Sequence, residues 1–206
     1  MSDLEADPEG ILEAQRRASE AARATAEAGA AALGGIRAFE TYTLERFKQT
    51  PANAAAFKAL ADFNPRKDNI FLAGTVGTGK THLAVAGARA NLPRVAFLRQ
   101  AELSREVRGA RDAEQEGEII RGWASVPVLI LDDLGAAKDT EFMVGLLYEI
   151  IDWRYMNRPG GLIVTSNRTL DQLAEKLGDD RIPSRLAQMC KVLKMTGKDH
   201  RIEGWR

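Results

Sequence analysis

Ile70-Phe71-Leu72-Ala73-Gly74-Thr75-Val76-Gly77-Thr78-Gly79-Lys80-Thr81 is the stretch on which the reading turns. Its first four residues are apolar, as in a short strand buried on both faces. The next eight fit G-x-x-x-x-G-K-[ST] at every fixed position. A helical pattern follows from His82 to Asn91 and is stopped by Pro93. Strand, glycine loop and helix together are the context that gives this motif its meaning. The glycines let the backbone curl until several N–H groups converge on phosphate oxygens. The helix N-terminus adds a favourable dipole. Lys80 places a point charge on terminal phosphates, and the Thr81 hydroxyl can ligate Mg²⁺. Gly74, Thr75, Val76, Gly77, Thr78, Gly79, Lys80 and Thr81 therefore form the candidate nucleotide-binding loop, with ATP/ADP and Mg²⁺ as expected ligands. His82, directly after the loop and inside the first helical turn, is counted with the cofactor-binding run by its position, and it reads as packing rather than catalysis.

Outward from the loop the same rhythm repeats. Val95-Ala96-Phe97-Leu98, Val128-Leu129-Ile130-Leu131 and Leu162-Ile163-Val164-Thr165 read as strands, and Val192-Leu193-Lys194-Met195 as a weaker fifth. Between them lie helical patterns over 102–121, 141–155, 170–177 and 183–189. Upstream, Pro51 is expected to start a helix running to about Ala61. Continuous apolar strands alternating with helices imply an α/β fold, a parallel sheet covered on both faces.

The third strand ends Leu131-Asp132-Asp133, delivering two acids where a strand of such a sheet meets its ligand. Asp132 is the candidate for holding Mg²⁺ with Thr81, and Asp133 for polarising an attacking water. For Asp133 a helix cap or a solvated loop acid is the rival reading. The fourth strand ends Thr165-Ser166-Asn167-Arg168, where the Asn167 amide could orient that water. Arg181 and Arg185 stand four apart, with Pro183 between them and better placed in the first turn of a helix. An arginine contributed by a neighbouring subunit could stabilise charge on a transferring phosphoryl group. Spacing alone favours ion pairs with Asp179 or Asp180.

Length and composition suit a soluble, globular chain of one ordinary domain plus a short appendage. It has 206 residues, 45% apolar and 28% charged, with Lys+Arg and Asp+Glu balanced at 29 each. That balance argues against a polybasic nucleic-acid coat. Cys190 is the one cysteine, which excludes an internal disulfide and a cysteine-based zinc site, and it reads as a small buried apolar residue. No apolar run reaches the roughly 18 residues of a membrane helix, and the start lacks a signal-peptide pattern, so a cytoplasmic protein is expected. Residues 1–38 form an Ala-rich helical arm with a thin apolar face, read equally as a solvated arm or a partner-binding helix. Arginines near the helix after the second strand, Arg105 and Arg108 among them, could meet a nucleic-acid backbone, but interleaved acids suit a solvated helix as well.

Five elements in order then define a resemblance: Gly79-Lys80-Thr81-His82-Leu83-Ala84, Leu129 to Gly135, Ile163 to Asn167, Arg181-Ile182-Pro183-Ser184-Arg185-Leu186, and Gly197-Lys198-Asp199-His200-Arg201. From about Phe39 to Arg201 the chain resembles the AAA+ ATPases of the DnaC/DnaI helicase-loader and IstB group. The resemblance implies a P-loop three-layer sandwich with a five-stranded parallel sheet of order 5-1-4-3-2, no full helical lid and a short helical N-terminal extension. It matches Lys80 and Thr81 to Walker A, Asp132 and Asp133 to Walker B, Asn167 to sensor 1 and Arg185 to the arginine finger, with Arg181 beside it. It implies an ATPase domain over 39–206 and ATP bound between subunits of a spiral or ring. The leading functional expectation is an ATP-dependent loader of the replicative DnaB-type helicase onto single-stranded DNA, gripped through the arm, in a bacterial or phage-infected cell. The alternative is an IstB-like transposition ATPase acting on duplex DNA. Walker B ends Asp-Asp here where many AAA+ proteins have Asp-Glu, one methylene longer.

Overall fold

Residues 40–91, 94–136, 140–197 and 199 are described in this computed structural model, together with Arg16 and Glu20. The arm therefore lies almost wholly outside the described residues. Arg16 and Glu20 are both helical and form an exposed ion pair at 3.1 Å.

The chain runs α1 (Ala54–Ala61), β1 (Asn69–Gly74), α2 (Lys80–Ala88), β2 (Val95–Arg99), α3 (Gln100–Arg108), α4 (Ala113–Ser125), β3 (Val128–Asp132), α5 (Glu141–Asn157), β4 (Gly161–Ser166), α6 (Leu170–Leu177), α7 (Arg181–Met189) and β5 (Lys191–Met195). The strands form one parallel sheet of order β2-β3-β4-β1-β5, the expected 5-1-4-3-2 read from the other edge. β1 is held between β4 and β5, with Asn69 opposite Leu162 and Gly74 opposite Met195.

Side chains of a strand point alternately to opposite faces, and here each face has its own core. Val128 and Ile130 join Ile70, Leu72, Val95 and Phe97 beneath α1 and α2. Leu129 and Leu131 join Phe71, Leu98, Leu162 and Val164 beneath the helices of the other face. This is why the strands read as unbroken apolar runs. β5 is the exception: Val192 and Lys194 are exposed on one face, as befits an edge strand.

The structure differs from expectation at several helix boundaries. The segment 102–121 is two helices, α3 and α4. Gly109 closes the first, and the Asp112 side chain caps the second by accepting from the Gln115 amide at 2.9 Å. α2 begins at Lys80, not His82, because Gly79 in a left-handed conformation (φ 88°) turns the loop directly into the helix. α1 begins at Ala54 rather than Pro51. Asn53 is buried there and ties the preceding turn, accepting from the Thr50 amide and donating to the Lys48 carbonyl. α7 begins at Arg181 rather than Pro183, so Pro183 lies in the first turn as expected but Arg181 is inside the helix and not just before it. A proline is tolerated there because those amides have no intrahelical acceptor.

Candidate functional site

In the sheet order, β3, β4 and β1 are neighbours. The glycine loop after β1, the acids at the end of β3 and the polar residues at the end of β4 therefore meet at one carboxyl edge, where parallel sheets bind ligands.

The loop depends on its glycines. Gly77 (φ 77°) and Gly79 (φ 88°) are both left-handed. A Cβ on Gly79 would also lie 2.9 Å from the Phe47 ring, so that position is closed to side chains twice over. Lys80 is buried, and its Nζ donates to the carbonyls of Gly74 and Thr75 and to Asn167 Oδ1, each at 2.8 Å. Asn167 Nδ2 in turn donates to Asp133 Oδ1 at 2.8 Å. Lys80, Asn167 and Asp133 are thus one connected chain across three neighbouring segments.

Asp132 is buried and accepts from the hydroxyls of Thr81 and Thr165, both on Oδ1 and both at 2.8 Å. Among the described residues no hydrogen bond reaches its Oδ2. Burial pushes the Asp132 carboxyl above the usual range. The two hydroxyls pull it down, the Asp133 charge adds to the rise, and Arg99 opposes it. Asp133 itself has φ 58°, a left-handed backbone that turns the chain off the strand.

His82 stands beside the loop as a packing residue. Its ring stacks on Tyr42 at 4.6 Å, meets Phe47 edge-on at 5.4 Å and lies 2.9 Å from the Thr43 carbonyl. That last contact needs the proton on Nε2.

The arginines of α7 stand outside this constellation. Arg185 Nε donates to Asp152 at 2.8 Å, and its guanidinium lies 4.3 Å over the Tyr155 ring. Arg181 is paired with Asp179 and lies 4.5 Å over Tyr148. These pairs hold both guanidinium groups firmly charged and Asp179 below the usual carboxylate range. The ion pair expected from spacing is present for Arg181, whereas the partner of Arg185 lies on α5. The structure thus brings Lys80, Thr81, Asp132, Asp133 and Asn167 together, while the contacts of Arg181 and Arg185 are with Asp179, Tyr148, Asp152 and Tyr155. Sequence reasoning passed over Thr165, whose hydroxyl touches both acidic positions. A polar side chain closing an otherwise apolar strand was its one signal.

The donor set suits a magnesium nucleotide. A left-handed glycine loop opening a helix, with an ammonium beside it, suits phosphates, and a hydroxyl beside a carboxylate suits a hard cation that takes few protein ligands. Among the described residues no group of three His, Cys, Asp or Glu side chains could form a metal cage of its own.

This fold and site define a P-loop nucleotide-binding protein of AAA+ type. The chain belongs to the family of IstB-like ATP binding proteins, whose model matches residues 6–204. An insertion sequence IS5376 ATP-binding protein of Geobacillus stearothermophilus is 29% identical over 68% of this chain and 58% of its own length. The replicative helicase loader DnaC of Escherichia coli is 25% identical over 85% of this chain and 73% of its own. A crystal structure of the DnaC helicase loader shares the fold, with a TM-score of 0.65, 24% identity, and coverage of 78% of this chain and 99% of that one. Among the described residues no helix is long and apolar enough to cross a membrane.

Proposed function

We propose that the chain hydrolyses ATP and uses the cycle to load a replicative DnaB-type helicase onto single-stranded DNA. The connected chain from Lys80 through Asn167 to Asp133 carries the hydrolytic half of this reading. It joins the lysine that would bind phosphate to an acid able to position water; all three Nζ protons are engaged with Gly74, Thr75 and Asn167, so Lys80 must exchange at least one of these for a phosphate oxygen. The backbone amides of the loop and Lys80 bind and orient the phosphates. Thr81 and Asp132 would hold Mg²⁺, which when bound neutralises charge between the terminal phosphates. Asp133 accepts a hydrogen bond from the attacking water, and Asn167 fixes that carboxylate. Arg185 acts across a subunit interface, with Arg181 beside it. It must exchange Asp152 for the phosphoryl group of a neighbour, since its own contacts lie on α5.

The extent of the match supports the loader reading, while the degree of identity, 25% for DnaC against 29% for the insertion-sequence relative, does not separate it from the second. The match to DnaC spans 73% of that protein, against 58% for the insertion-sequence relative. The second reading, an ATPase serving transposition on duplex DNA, is favoured by the family description and by that same relative. A tagged Asp133→Asn protein, expected to trap the ATP-bound state, separates them in a pull-down from native cells. A stoichiometric replicative helicase, lost on deletion of residues 1–35, supports the loader and gives the arm its role. Recovery of a transposase without a helicase overturns it. In parallel, wild-type protein should release phosphate from ATP and Lys80→Ala should not.

A further inference from the structure

We infer that Thr165 is a positioning residue of the site: its hydroxyl sets Asp132 and Asp133 in register with each other. The inference deepens the reading of a magnesium–ATP site and rests on it. Thr165 is buried at the end of β4, beside the end of β3. Its hydroxyl donates to Asp132 Oδ1 at 2.8 Å and accepts from the Asp133 amide at 2.9 Å. Its carbonyl accepts from the Leu134 amide at 2.8 Å. One residue thus holds three consecutive positions of the neighbouring segment.

The need for it follows from the backbone. At Asp133 the chain leaves the strand in a left-handed conformation (φ 58°). Its amide bonds the Thr165 hydroxyl rather than a strand carbonyl. The hydroxyl has one proton, and that proton goes to Asp132. The same oxygen then offers its lone pairs to the Asp133 amide. Thr81 and Thr165 both bond Oδ1 of Asp132, and among the described residues no hydrogen bond reaches Oδ2, so that oxygen would be available to a cation. Second-row contacts of this kind orient ligands, and their removal typically costs about 10–100-fold in metal affinity or activity.

The test compares wild type with Thr165→Val, which keeps the shape and removes the hydroxyl, and Thr165→Ser, which keeps the hydroxyl. Three quantities are read: affinity for a fluorescent ATP analogue in EDTA and across a Mg²⁺ titration, kcat and KM for ATP, and hydrogen exchange of the Asp133 amide. Thr165→Val is expected to bind nucleotide normally in EDTA. It should need about 10–100-fold more Mg²⁺ to reach tight binding and lose kcat with little change in KM. Its Asp133 amide should exchange faster, and Thr165→Ser should restore all three. Should Thr165→Val not fold, Thr165→Ser against Thr165→Ala carries the comparison, since both lack the methyl and only serine keeps the hydroxyl. A Mg²⁺ response and Asp133 exchange unchanged in the hydroxyl-less variant overturn the inference, as does a serine variant equally impaired. A wild-type protein whose nucleotide affinity ignores Mg²⁺ overturns the magnesium–ATP reading itself, and the inference with it.

Discussion

Cys190 shows how burial settles the chemistry of a single residue. It lies at the end of α7, buried in the core. Burial pushes its thiol up from 9.0 to about 12, and the nearby Arg154 charge only partly opposes this. Between those values the folded chain keeps a proton that the unfolded chain has lost, so this group makes stability fall as pH rises from about 9 to about 12. Iodoacetamide at pH 9 should therefore leave the native protein unlabelled and label it in guanidinium. Rapid labelling of the native form would contradict the burial. The pairing of Lys80 with Asn167 is another result at this scale, since it makes one residue from each side of the site interdependent.

At the scale of elements, α1 and α2 meet over Gly87. A Cβ there would lie 2.7 Å from Leu60 Cβ and 2.8 Å from the Leu60 carbonyl oxygen. Helix propensity alone would make Gly87→Ala stabilising by about 1 kcal/mol. The close approach argues for a loss of about 1–3 kcal/mol, and it wins because the obstacle includes backbone that cannot rotate away. Thermal unfolding should show a lower Tm for Gly87→Ala, and a higher one would mean the helices are free to part. Arg154 does comparable work on the other face. Fully buried on α5, it donates to the carbonyls of Ala124, Val126 and Gly161 at 2.7–2.8 Å and so ties α4 to the start of β4.

On the scale of the whole molecule, the two α7 arginines pose the question of assembly. Arg185 is held by Asp152 and Tyr155 of its own chain. If it completes a neighbour's site, Lys80→Ala and Arg185→Ala are each inactive for different reasons. Mixing them should restore activity, because one interface then pairs an intact loop with an intact arginine. The specific activity of the wild type should also rise with protein concentration. Two inactive variants that remain inactive on mixing would place Arg185 outside catalysis in trans.

The sequence by itself determined the local chemistry. The glycine loop, the acids after β3, the apolar strands and the alternation of strands with helices are all patterns of adjacent residues, legible because strand period and loop geometry are local. The sheet order came from resemblance to a family rather than from any such pattern, and the helix breaks near Gly109 and Asp112 were missed because charged residues continue across them. The tertiary structure alone decided which groups meet. Lys80 and Asn167 are 87 residues apart, and Thr165 and Asp132 are 33 apart. Contacts at such separations exist only because β3, β4 and β1 lie side by side. The same placement put Thr165 between the two acids and set Arg185 against α5, for neither of which the linear spacing carries a signal.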